Sequence, residues 1–270
     1  MSTGQKVCGY TLDTLLASGS TGTVYSATDP CGQKVAVKVM PPPKGDSAVT
    51  VFQREVRIGQ TLDHPSIVQT LHTFAHGPAQ YVIMELVEGT NLRSVLGKPM
   101  DTERFLAIFE PLTEGLARAH SKGVVHRDLR PENVILTADG SVKILGFGLA
   151  RLVQEGAMAM PGPLKGVVSY SAPEQMADSK RSGPAGDQYA LGIMMVEAMS
   201  GEFPFIKHEA PLQEILERGK GETPRLAELE HGFSEQVYQV FARMLAPEPA
   251  DRYPDVREAC QALKAAILSN

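Results

Sequence analysis

The chain has 270 residues, with 26 Lys and Arg against 31 Asp and Glu, a formal net charge of −5 and 43% hydrophobic residues. That length supports two modest lobes or one large domain with an ample core. The mild acidity gives no pull towards nucleic acid or an anionic membrane surface, and no apolar run approaches the ~18 residues of a membrane span.

Taken in chain order, segment 1–9 is polar, lacks the apolar stretch of a signal peptide and is expected to be an N-terminal tail. Segment 10–38 reads as three strands, with Val24 and Tyr25 in the second and Val35 to Val39 as the third. Met40 and the three prolines after it stop that strand, because proline cannot donate to a ladder. Segment 48–62 is helical, with Val51, Phe52, Glu55, Ile58 and Leu62 at three- and four-residue spacings, and His64-Pro65 ends it. Two more strands are expected at 67–74 and 80–85. The remainder is mainly helical. A long amphipathic helix over 102–121 carries Phe105, Ile108, Phe109, Leu112, Leu116 and Ala119 on one side. Short strands at 134–136 and 142–144 follow within a loop-rich stretch. A strongly apolar helix spans 185–200, and further helices are expected at 212–218, 235–245 and 256–268. Strands first and helices afterwards argue for an α+β fold of two lobes. The small lobe is expected over 10–85, the hinge over 86–89 and the large lobe over 90–270. Cys8, Cys31 and Cys260 are far apart in sequence and odd in number. They show neither metal spacing nor a disulfide framework, which fits a reducing, cytoplasmic location, either for the chain alone or as the cytosolic domain of a larger protein.

Three motifs carry chemistry. Segment 16–24 holds Gly19 and Gly22 in a turn between strands, where backbone N–H groups can approach phosphates unobstructed; by itself an ordinary hairpin explains it better. Lys38 lies in an apolar strand and is costly there unless paired, for which Glu55 on the next helix is the natural partner; the alternative is a lysine snorkelling at a strand edge. The octapeptide His126-Arg127-Asp128-Leu129-Arg130-Pro131-Glu132-Asn133 is the specific one. It offers an Asp to accept a hydroxyl proton and an Asn to hold a metal ion.

With Ser171-Ala172-Pro173-Glu174, Asp187 and Arg252, these motifs make the chain resemble a eukaryotic-like (Hanks-type) Ser/Thr protein kinase domain of the bacterial kind, over about 10–268. The resemblance implies a bilobal kinase fold and a role for each residue. Gly19 and Gly22 would cover the phosphates, and Lys38, held by Glu55, would contact them. Val24, Ala36 and Ile135 would sandwich adenine. Met84 would be the gatekeeper, with Glu85 to Val87 offering hinge hydrogen bonds. Asp128 would be the catalytic base, aided by Arg130, and Asn133 a metal ligand. Glu174 and Arg252 would form a structural ion pair, and Asp187 would anchor the catalytic loop.

The pattern breaks at Gly146, which precedes Phe147-Gly148 where the family has its metal-binding Asp. Mg²⁺ is held through one or two carboxylates plus substrate phosphates, so the loss should cost metal affinity and misplace the γ-phosphate. Arg130 stands where the family has Lys, and the two are not equivalent at a phosphate. Val167 stands where a Thr is usual, and Ala17 replaces the first glycine of the phosphate loop. Segment 151–168 has no Ser, Thr or Tyr, so no phosphate can form there to pair with Arg127. Gly59 and Thr70 fall at positions of the apolar column, with His126 and Phe147, that links the lobes in active relatives. The pocket residues remain while the chemistry is degraded. The leading expectation is therefore a pseudokinase that binds ATP weakly or without Mg²⁺ and regulates or scaffolds an unidentified protein partner. The rival is a slow Ser/Thr kinase using a single metal on Asn133. A third reading is a pseudokinase with an empty pocket.

Overall fold

The computed structural model describes residues 3–19, 22–40, 58, 61–147, 151–152, 168–177, 183–205, 224–229 and 232–269. The chain divides into two compact units, Met1–Glu88 and Gly89–Asn270.

The first unit is an antiparallel sheet in the order β1-β2-β3-β4-β6-β5. Its strands are β1 (Lys6–Val7), β2 (Tyr10–Gly19), β3 (Gly22–Thr28), β4 (Lys34–Met40), β5 (Thr70–His76) and β6 (Ala79–Glu85). The central strand β4 is buried on both faces from Val35 to Lys38 and ends at Met40, ahead of the prolines that cannot extend a ladder. Val7, Leu12, Tyr25, Ala27, Val35, Val37, Ala79, Tyr81 and Ile83 form the core, capped by half-buried Tyr10, Val39 and Phe74. Tyr10 on β2 stacks on Phe74 of β5 at 5.7 Å, and Phe74 on Tyr81 at 4.9 Å. These strands lie second and last in the sheet, so the contact requires strong curling, as right-handed strand twist allows.

Three boundaries differ from expectation. Within the expected tail, Lys6–Val7 forms β1 against β2, and Val7 is buried; two residues carry too little periodicity to read. The strand expected at 67–74 runs from Thr70 to His76, because the Ile67 N–H bonds back to the His64 carbonyl in a turn. Gly89, expected in the hinge, pairs with Thr137 as part of β7 (Gly89–Asn91). Of the helix expected at 48–62, residues 58, 61 and 62 are described: Ile58 and Leu62 are buried, and the Leu62 N–H bonds the Ile58 carbonyl at 3.1 Å. The helix expected at 212–218 lies outside the described residues.

The second unit holds β7, α1 (Thr102–Ser121), β8 (Val124–Val125), β9 (Val134–Thr137), β10 (Val142–Ile144), β11 (Arg151–Leu152), α2 (Pro173–Ala177), α3 (Pro184–Ser200), α4 (Glu235–Met244) and α5 (Val256–Leu268). Asp101 caps α1 by accepting the Arg104 N–H at 2.8 Å, satisfying one orphan donor. All six expected core residues of α1 are buried; the five large ones, at about 2 kcal/mol each, contribute on the order of 10 kcal/mol before the entropy cost. Helix α3 is buried almost all round, as a helix with little amphipathic contrast must be. It backs the segment between β8 and β9, which carries the octapeptide. Among the described residues no helix is long and apolar enough to cross a membrane.

Candidate functional site

The octapeptide is held from behind by one carboxylate. Asp187, on the first turn of α3 and only 1% exposed, accepts three hydrogen bonds. They come from the N–H of His126 (2.8 Å), the N–H of Arg127 (2.8 Å) and, in the same geometry, His120 Nε2 (2.8 Å). Arg127 has a φ of +69°, a conformation uncommon for a non-glycine residue, and the two adjacent N–H bonds hold it there. Burial pushes the Asp187 pKa up, but the His120 hydrogen bond, the His120 and His126 charges and the Arg127 N–H outweigh it and leave it lowered. His126 Nδ1 accepts the Asp128 N–H at 3.2 Å. A neutral ring then carries its proton on Nε2, which donates to the Leu145 carbonyl at 2.7 Å. The same ring meets Phe147 edge-on, centroids 4.7 Å apart.

Asp128 and Asn133 face each other. Asn133 Nδ2 donates to the Asp128 carbonyl at 2.7 Å and to Asp128 Oδ2 at 3.2 Å. The other carboxylate oxygen, Oδ1, lies 3.7 Å from Arg130 Nε, and Arg130 Nη1 lies 3.9 Å from Glu132. Gly146 stands beside this pair with a φ of +88°. A Cβ built on it would lie 2.9 Å from Asn133 Nδ2 and 3.3 Å from Asn133 Oδ1. A side chain at position 146 would therefore project at the Asn133 carboxamide, and Gly146 puts no carboxylate there.

Glu174 and Arg252 form an ion pair. The Arg252 side chain is wholly buried and grips Glu174 with two nitrogens, at 2.8 and 2.9 Å. It also donates to the carbonyls of Ala246, Ala185 and Pro247 and lies 4.8 Å from the Tyr189 ring centroid. A lysine cannot reproduce this fork. Arg252→Lys is expected to cost about 2–4 kcal/mol, because carbonyls and a carboxylate lose buried partners. Denaturant unfolding measures it; a change under about 0.5 kcal/mol would show the fork to be dispensable.

Sequence reasoning missed a second network. Arg93 donates to Glu132 at 3.1 Å, to Glu197 at 2.6 Å and to the Tyr170 hydroxyl, which itself donates to Glu197 at 2.5 Å. Burial, the Glu197 charge and the hydrogen bond to Glu197 push the Tyr170 pKa up. Gln175 Nε2 also braces the loop by donating to the Arg127 carbonyl at 2.6 Å. These residues come from four separate segments with no shared spacing, so only the folded chain could reveal them.

In the first unit, Lys38 sits in β4 opposite Val24 of β3 and Val82 of β6, and is 8% exposed. Ala36 faces Ser26 and Met84, and is buried. Glu85 exchanges two bonds with the backbone of Gln69, its N–H to the Gln69 carbonyl and its carboxylate to the Gln69 N–H, both 3.0 Å. Val87 is partly buried. Gly19 and Gly22 close the β2–β3 pairing. Gly22 has a φ of +142°, and a Cβ there would stand 2.5 Å from the Val39 carbonyl oxygen. The sheet alone therefore demands this glycine, whatever the turn binds. In the second unit, Ile135 lies on β9 opposite Lys143 and Asn91, partly buried. Glu55, Gly59 and Val167 lie outside the described residues.

The family profile described as "Protein kinase domain" matches residues 10–265. The chain is 35% identical over 251 residues to "Serine/threonine-protein kinase PknL" of Mycobacterium tuberculosis, covering 91% of this chain and 62% of that protein. It is 32% identical over 287 residues to "Serine/threonine-protein kinase PknA" of the same species, covering 94% of this chain and 66% of that protein. The chain thus spans about two thirds of the length of these relatives or less.

Proposed function

The chain belongs to the protein kinase family, and within it we propose a pseudokinase: a domain that holds ATP without depending on Mg²⁺ and acts by binding a protein partner. The observation that carries this reading is Gly146, directed at Asn133 with no carboxylate to offer. Mg²⁺ needs hard, anionic oxygen ligands in near-octahedral geometry. Around Asn133 the chain supplies one carboxamide and the Asp128 carboxylate, already engaged by Asn133 and 3.7 Å from Arg130. Among the described residues no group of three or more His, Cys, Asp or Glu is placed to hold a metal ion. That donor set does not fit a tightly held Mg²⁺. Phosphoryl transfer rests on positioning and charge neutralisation, so its absence removes most of the catalytic means.

ATP binding itself is assigned to Lys38 with Glu55, to the apolar residues Val24, Ala36 and Ile135, to Gly19 and Gly22, and to the backbone of Glu85 to Val87 next to Met84. None of these is altered chemically from what such a ligand needs. Asp128 then serves to organise the loop through Asn133 and His126 rather than to accept a proton. A cytoplasmic domain without nucleic-acid or membrane contacts of its own suits this role.

One observation favours a second reading: Lys38, Asp128 and Asn133 are all retained, which leaves room for slow Ser/Thr phosphotransfer through a single metal on Asn133. Thermal unfolding separates the two. A ligand confined to the folded state raises stability by about 2.7 kcal/mol at one hundred times its Kd. ATP alone should raise the melting temperature, and added Mg²⁺ should not increase the shift. A shift that appears only with Mg²⁺ would overturn the pseudokinase reading in favour of the kinase.

A further inference from the structure

The Arg93 network does not end at Glu197. Arg93 stands on a short helical turn, Leu92–Val95, fixed by wholly buried Leu92 and capped by Asn91, whose Oδ1 accepts the Ser94 N–H at 3.1 Å. Glu132 stands on a second short turn, Pro131–Asn133, anchored by buried Pro131. Both backbones are held, so what can rearrange is the side chains. From Glu197, whose side chain is 7% exposed, ion pairs run through Arg93 (2.6 Å) to Glu132 (3.1 Å), then to Arg130 (3.9 Å) and Asp128 (3.7 Å). Charges alternate along the whole row.

The row is tight at one end and loose at the other. Arg93 donates hydrogen bonds to both of its carboxylates and to the Tyr170 hydroxyl. Arg130 lies 3.7 and 3.9 Å from its two carboxylates, beyond hydrogen-bond reach of either. Among the described residues, the buried atoms Arg130 Nε and Glu132 Oε2 have no hydrogen-bond partner. Glu132 gives Oε1 to Arg93 and turns Oε2 towards Arg130. A guanidinium and a carboxylate this close ordinarily shut to hydrogen bonds of about 2.7–2.9 Å. The hold of Arg93 on Glu132 accounts for the gap.

We infer that Arg93 is a positioning residue: by holding Glu132 it keeps Arg130 uncaptured, with guanidinium donors open to a terminal phosphate beside Asp128. Asp128 occupies the position that accepts a hydroxyl proton in the family, so the phosphate next to it is the one a kinase transfers, and Arg130 lies 3.7 Å from that carboxylate. Without Arg93, Glu132 loses its hydrogen-bonded cation and closes on Arg130, which then serves an internal anion instead of a nucleotide. The part of Arg130 at the phosphate rests on the nucleotide-binding reading above. The tether does not, because Arg93, Glu132 and Arg130 all belong to the second unit and interact without a ligand.

Calorimetric titration of the whole 270-residue chain without metal compares ATP with ADP. Arg93→Gln is expected to weaken ATP about tenfold, the loss of one charged hydrogen bond, and ADP by less than about twofold. Adding Glu132→Gln should restore ATP to within about threefold of the parent, since a neutral amide holds a guanidinium far less strongly than a carboxylate does. If Arg93 merely braced the fold, removing its partner as well would not rescue binding. Equal losses for both nucleotides, no loss, or a double variant no tighter than Arg93→Gln would overturn the assignment. Denaturant unfolding without nucleotide reads the tether separately. Arg93→Gln combined with Arg130→Gln should lower the folding equilibrium constant at least about threefold more than the product of the two single losses, because Glu132 then has no cation left. Losses that simply multiply would overturn the tether. Should the parent bind no ATP, the nucleotide-binding reading fails and this cycle alone decides the role of Arg93. If Arg93→Gln does not fold, Arg93→Lys replaces it: one ammonium goes to the more buried Glu197 and releases Glu132 all the same.

Discussion

Asp187→Ala is expected to lower the stability of the protein by about 3–5 kcal/mol, the range for breaking a buried ionic network by removing one partner. Asp187 is 1% exposed and takes hydrogen bonds from the N–H groups of His126 and Arg127 and from His120. Alanine leaves two successive backbone donors unpaired, each costing about 1–3 kcal/mol, and leaves Arg127 in a left-handed conformation with nothing to hold it. For a chain of this size that corresponds to a fall of roughly 6–20 °C in the melting temperature. Asp187→Asn should recover only part of the loss, since one carbonyl oxygen replaces two and the amide nitrogen confronts another donor. The pH dependence has a defined sign. The folded pKa of Asp187 lies below its ordinary value of 3.8. Its contribution is therefore complete above that value and is lost as pH falls through the lower folded pKa. The gap between parent and Asp187→Ala should be full at neutral pH and narrow below about pH 3.9. Denaturant unfolding at several pH values reads both effects. A variant as stable as the parent at neutral pH would show that the loop is anchored elsewhere.

The elements that sequence patterning recovers best are those whose own residues bury a repeating face. Helix α1 follows its apolar spacing over the expected residues, and α5 does the same. β4 stops where three prolines begin. Short elements defined by a partner rather than by themselves were not legible: β1 exists because β2 is beside it, and β7 because β9 is. The candidate site divides in the same way. The octapeptide is contiguous, so its residue types announce it. Glu174 and Arg252 are legible through family resemblance, yet the three extra carbonyls that Arg252 serves are not. The Arg93, Glu132, Tyr170 and Glu197 network is drawn from four segments, each unremarkable alone.

Gly146→Asp should change the protein's response to Mg²⁺ more than any other single substitution. The backbone at 146 has a φ of +88°, and aspartate is among the few residues that adopt the left-handed region at modest cost. The new Cβ would stand 2.9 Å from Asn133 Nδ2, so that side chain must give by a few tenths of an ångström. It can do so because the atoms met are the far end of the Asn133 side chain, at some expense to its hydrogen bonds with Asp128. Together these effects should destabilise the free protein by about 1–2 kcal/mol, a few degrees in melting temperature. Against that loss, the position directed at Asn133 gains the anionic oxygens that Mg²⁺ requires. ATP-induced stabilisation should become dependent on Mg²⁺, with an affinity gain of at least tenfold when the metal is present, equivalent to about 1.4 kcal/mol. If Lys38, Asp128 and Asn133 are otherwise competent, phosphotransfer above background should appear in Gly146→Asp and vanish in the double variant with Asp128→Asn, which keeps the side-chain shape but cannot accept the proton. Calorimetric titration of ATP with and without Mg²⁺ decides the binding half. A folded Gly146→Asp protein that still ignores Mg²⁺ would show that the missing carboxylate is not the principal defect. The engaged state of Asp128, between Asn133 and Arg130, would then be the next cause to remove, by testing Arg130→Lys in the same background.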